Sequence, residues 1–158
     1  MANTQSMATS FLGEVLTGTH NFGVAPIRAA TTADTFKAAL YLASATVNAS
    51  TTVYSTTGEV TGSGYTAGGI TVTNGTPPTA TNASTTAGVG FWTSSASIVY
   101  SSVTLSTAFD AVLIYNSTQS NRAVSVHTFG SQTVTAGTFT LTMPSNTTTT
   151  ALLRLATT

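Results

Sequence analysis

Two apolar runs, Phe109–Tyr115 and Ala123–Phe129, flank the polar segment Asn116–Arg122 and form the clearest pattern in the chain. Apart from Asp110, Ser125, His127 and Thr128, the runs are built from Val, Ile, Leu, Phe, Tyr and Ala, residues that mostly suit a pleated and largely buried surface. The Asn, Ser, Thr and Gln side chains between them bond local backbone readily, so the stretch predicts a central β-hairpin. Farther on, Phe139, Leu141 and Met143 alternate with Thr138, Thr140 and Thr142. Thr133–Thr135 and Thr138–Met143 therefore predict a second hairpin across Ala136-Gly137, in a sheet with one solvated face. Pro144 ends that alternation, and Ala151–Ala156 predicts a last strand.

Upstream, Phe36, Ala38, Leu40 and Leu42 fall on one face of a strand, with Lys37, Ala39 and Tyr41 on the other. Ala and Leu are good helix formers, but the extended Thr-rich sequence that follows favours the strand. Val53–Thr56, Glu59–Thr61, Ile70–Thr73, Ala96–Tyr100 and Val103–Leu105 are further short candidates. Asn74–Gly90, with Pro77-Pro78, reads as a long polar loop. About eight to ten short antiparallel strands with little helix predict an all-β chain, a single β-sandwich or jelly-roll-like domain over residues 31–158.

Residues 1–30 read differently. Met7, Phe11, Leu12, Val15 and Leu16 recur at helical spacing, with Thr4 or Ser6 as a cap and Gly18 just past the end. A helix of roughly ten residues is marginal alone in water, so its apolar face needs a partner. That partner is either its own domain or a neighbouring subunit. Trp92, the sole tryptophan, is either a core anchor or a contact residue, since Trp is enriched at interfaces. Met7, Phe11, Leu12, Val15, Leu16, Phe22 and Trp92 are the candidate interface.

Composition narrows the function. Only 5% of residues are charged and the formal net charge is zero, against about 25% charged in ordinary domains. Thr makes up almost a quarter of the chain, which predicts a neutral, hydroxyl-rich surface. Arg28, Lys37, Arg122 and Arg154 are scattered, with no basic stripe for phosphates, so no nucleic-acid partner is expected. No apolar run approaches a membrane span, and MANTQSMATS lacks the features of a secretory signal. Without cysteine, disulfides and thiolate metal sites are excluded.

Candidate chemistry is sparse. The carboxylates Glu14, Asp34, Glu59 and Asp110 show no converging spacing of the kind a glycosidase needs, and His20 and His127 have no zinc spacing. Asp110, Ser125 and His127 share the central hairpin. Ser125 and His127 are two apart on one strand face, about 7 Å between backbones, against the roughly 3 Å of a nucleophile–base pair. The glycine cluster Gly62–Gly69 lacks the Lys of a phosphate loop and is followed by a strand, so it predicts a mobile turn. No catalytic, cofactor or metal site is expected.

DTFKAALY at Asp34–Tyr41, TGEVTGSGYTAGG at Thr57–Gly69, FDAVLIYNSTQSNRAVSVHTFG at Phe109–Gly130 and TVTAGTFTLTMP at Thr133–Pro144 together resemble small β-rich virion proteins of tailed bacteriophages. The resemblance covers most of the chain beyond residue 30 and carries no catalytic motif. It implies a non-enzymatic structural subunit, first a capsid decoration or cement protein. Such a subunit would form a homo-oligomer, with a trimer as the first expectation. It would contact the major capsid protein or other virion proteins and assemble in the host bacterial cytoplasm. The alternatives are a tail, neck or fibre-attachment subunit, or a module binding host-surface glycan through exposed Tyr54, Tyr65 and Trp92.

Overall fold

The computed structural model describes residues 3–8, 10–11, 15, 18–22, 33–75, 77–81 and 88–156. The chain is all-β. Among the described residues, eight strands run in the order β1 (Ser6–Met7), β2 (Phe36–Leu42), β3 (Ile70–Val72), β4 (Thr79–Ala80), β5 (Val89–Trp92), β6 (Ile98–Asn116), β7 (Arg122–Leu141) and β8 (Leu153–Ala156). They form two antiparallel sheets, a five-stranded one in the order β1-β7-β6-β2-β3 and a three-stranded one in the order β4-β5-β8, an arrangement consistent with a β-sandwich.

The central hairpin forms as the apolar pattern predicts. Asn116 pairs with Arg122 at its closed end, and Ser120 and Asn121 turn the chain in the left-handed region, at φ 53° and 57°. The second hairpin does not form. Thr133–Leu141 continues β7 and pairs with the start of β6, Leu141 with Ile98 and Phe139 with Tyr100. Ala96–Tyr100 and Val103–Leu105 are likewise joined, since Ile98–Leu105 belongs to β6 as one irregular strand. The supposed turn is a kink: Ala136 sits at φ 46° and Ser102 on the partner strand at φ 54°. The Ala136 N–H donates to Thr104 Oγ1 at 3.0 Å, and the register shifts on both sides of Val103. An irregularity absorbed on both strands bends a ladder without ending it.

Strand β2 lies between β6 and β3, and both of its faces are covered. Phe36, Ala38, Ala39, Leu40 and Tyr41 are all buried. Phe36 stacks on Phe22 with ring centroids 4.2 Å apart. On the opposite face, Lys37 pairs with Tyr115, and Tyr115 stacks on Tyr54 at 4.6 Å. The segment carrying Tyr54 therefore caps one face of the large sheet, while Phe22 and Trp92 cap the other.

The glycine cluster is seated on the sheet, in contrast to the mobile turn expected. Gly69 has φ 68° and a Cβ there would strike the Ala38 carbonyl; one at Gly62 would strike the Thr104 carbonyl. Only glycine permits both the backbone angle and so close an approach.

The N-terminal segment docks on its own domain wherever it is described. Ser6 and Met7 pair with Val126 and Ser125 on the outer edge of β7, and the Ala8 N–H donates to the Val124 carbonyl at 3.0 Å. Asn3 donates to the Leu42 carbonyl and to Asp110 Oδ1, and its own Oδ1 accepts from the Val47 N–H. Ser10, Phe11 and Val15 have helical backbone, while most of the expected helix lies outside the described residues and no helix stands among the described elements.

Candidate functional site

A polar clamp positions the ring cluster at the rim of the sandwich. Asp34 is buried, and its Oδ2 accepts the Asn21 N–H at 2.9 Å and Asn116 Nδ2 at 2.8 Å. The Asp34 N–H returns a bond to the Asn21 carbonyl, and Asn116 Nδ2 also lies 3.0 Å from His20 Nδ1. These contacts hold the backbone at Asn21, so that the neighbouring His20 and Phe22 meet Phe11, Phe36 and Trp92. Phe11 lies 4.8 Å from the His20 ring and Phe22 lies 4.9 Å from Trp92.

Between this cluster and the small sheet runs a cavity of about 330 Å³. Phe11, Val15, Phe22, Phe91, Trp92 and Leu155 supply much of its wall, and among the described residues no Asp, Glu, Lys or Arg lines it. Pairing of Trp92 with Leu153 and of Gly90 with Leu155 brings β8 alongside β5 to form the floor. Leu155 is 42% exposed and marks the open side. Lined this way, the groove can bind apolar surface.

Of the seven candidate interface residues, Phe11, Val15, Phe22 and Trp92 come together here. Met7 lies apart, on the β7 edge, and Leu12 and Leu16 lie outside the described residues. Trp92 is only 2% exposed, so it is a core anchor that contributes one face to the groove. The open aromatic face imagined for glycan binding does not form. Tyr54 and Tyr65 donate to Glu59 at 2.6 and 2.7 Å, and Trp92 is buried.

That Glu59 network is a feature that sequence reasoning missed. Its Oε1 also accepts the Gly68 N–H at 2.7 Å, while the Leu40 N–H donates to the Tyr65 hydroxyl at 3.0 Å. Tyr100 and Tyr115 donate to the carbonyls of Ala38 and Gly68. Burial pushes the Tyr41 and Tyr115 phenols up to about 12. Burial, then the bond to Glu59, raises Tyr54 and Tyr65 well above the ordinary value. A lone acid just ahead of the glycine cluster was the available signal.

Ser125 Oγ lies 2.9 Å from His127 Nε2, which corrects the expectation that this pair is too far apart. Backbone spacing misled: side chains on one strand face lean along the strand, and an imidazole reaches several ångströms from its Cα. Burial holds the His127 imidazole down to about 4, so it is neutral at pH 7. His127 borders a second cavity, of about 190 Å³, with Val112, Ile114, Phe129, Met143 and Leu152. Ser125 is 1% exposed and Asp110 is engaged by Asn3, so the three do not form a triad. Asp34, Glu59 and Asp110 sit in separate networks, and among the described residues no group of His, Asp and Glu is placed to hold a metal.

Comparison of the chain with protein-family models, with curated proteins and with solved structures found no match.

Proposed function

We propose that this chain is a non-enzymatic structural subunit of a tailed-bacteriophage virion, serving on the head as a decoration protein. The observation that carries this reading is the apolar, aromatic groove, open at Leu155 and built on the β scaffold. The resemblance of Asp34–Tyr41 and Phe109–Gly130 to small virion proteins supports the same reading. Apolar side chains of a neighbouring subunit seated in the groove would contribute about 1.5–3 kcal/mol each. A contact made mainly by apolar side chains would depend little on salt.

The test is fractionation of virions assembled from the genome that encodes the chain, with heads and tails separated on a density gradient. The protein is expected in the head fraction, and a folded Leu155→Asp variant is expected to be lost from it. Recovery with tails would move the subunit to the tail or neck. Absence from every particle fraction would overturn the virion reading.

A further inference from the structure

We propose that the open outer edge of β7 pairs antiparallel with the same edge of a second copy of this chain, centred on Thr138–Leu141. The inference goes beyond the virion reading and holds for the isolated protein.

The edge already accepts a strand in this orientation. β1 pairs antiparallel with Ser125 and Val126 and then leaves, as Thr4 bonds Val47 and Asn3 turns to Asp110. From Phe129 to Leu141 no strand among the described residues lies outside β7. Sheet edges are commonly guarded by Lys, Pro, inward charges or bulges. This one has no charge and no proline from Thr128 to Met143, and beyond its kink at Ala136 the run Phe139–Leu141 pairs in regular register with β6.

The occupant follows from self-complementarity. A two-fold axis perpendicular to the sheet keeps each strand's faces aligned, so Thr138 and Thr140 of one copy meet the same row of the other. Phe139 and Leu141 likewise meet their counterparts on the opposite face. Threonine pairs and apolar pairs both stabilise adjacent strands, and a chain of zero net charge does not repel its own copy. A contact of a few residues buries well under the roughly 800 Å² per partner of a standard interface, so the dimer is a weak one. Isologous pairing joins copies in twos, in place of the trimer first expected.

The experiment is sedimentation equilibrium of the full chain up to about 1 mM, with hydrogen exchange read at low and high concentration. The wild type is expected to dimerise, with amide protection at Thr138–Thr142 rising with concentration. Thr138→Lys combined with Thr140→Lys puts four ammonium groups on one face at the axis and is expected to weaken dimerisation at least about tenfold. Ser44→Lys, on an exposed turn, is the control and should leave it unchanged. Both positions on β7 are exposed, and circular dichroism checks that the variant folds. A monomer throughout the range, or an oligomer that the double variant leaves intact, would overturn the proposal.

Discussion

Removing the Glu59 carboxylate tests how the glycine-rich segment is held on the sheet. Glu59 is 6% exposed, and its hydrogen-bond partners are the neutral donors Tyr54, Tyr65 and Gly68. Bonds to a charged acceptor are worth about 1.5–3 kcal/mol, against about 0.5–1.5 for neutral pairs. In Glu59→Gln the amide oxygen can keep Tyr65 and Gly68, while the Tyr54 hydroxyl turns to accept from the new N–H. Charge assistance alone is lost, at about 1–3 kcal/mol. In Glu59→Ala the Tyr65 hydroxyl and the buried Gly68 N–H lose their acceptor, at about 1–3 kcal/mol each, while half-buried Tyr54 turns to water. Relief of the carboxylate's desolvation offsets part of the resulting total, leaving an expected loss of about 2–4 kcal/mol. Urea unfolding at pH 7, followed by the fluorescence of Trp92, measures both variants. An Ala variant within about 0.5 kcal/mol of wild type would refute the reasoning, because the tyrosine shell would then hold without its acceptor.

The same network predicts base sensitivity. Tyr41 and Tyr115 ionise near 12 in the fold and near 10 when unfolded, so the folded state binds more protons between those values. Stability is then full below pH 10 and falls as pH rises toward 12.

Acid acts through His127, whose folded value of about 4 lies below the unfolded 6.5. The unfolded state binds the extra proton, so stability is full above pH 6.5 and falls by up to about 3 kcal/mol as pH drops to 4; His127→Gln should flatten that slope in urea unfolding, and an unchanged slope would exclude this ring as its source. Deleting residues 1–11 removes β1, the Asn3 bonds and buried Phe11, so thermal melting should show a loss of at least about 3 kcal/mol. An unchanged melting temperature would mean that the segment docks on another copy.

The all-β class and the central hairpin were legible in the chain, because period-two alternation and a polar link act locally. The clustering of Phe11, Val15, Phe22 and Trp92 was partly legible as an apolar set needing a partner. The spacing of Met7 grouped it with the others, but its pairing with Ser125 placed it on the β7 edge. The Ser125–His127 contact was hidden because sequence offers backbone spacing and no side-chain direction.

What the sequence determined by itself is the local pattern: the all-β class, where the central hairpin closes, and that the chain carries few charges and no net charge. Only the tertiary structure decided that Ala136-Gly137 is a kink within one long strand. A glycine next to a small residue permits either a turn or a kink, and the choice falls to the partner strand, where Ser102 supplies the matching irregularity. It also decided that Glu59 is buried. A carboxylate tolerates burial only when donors surround it, and those donors, Tyr54, Tyr65 and Gly68, are brought together when the segment folds onto β2.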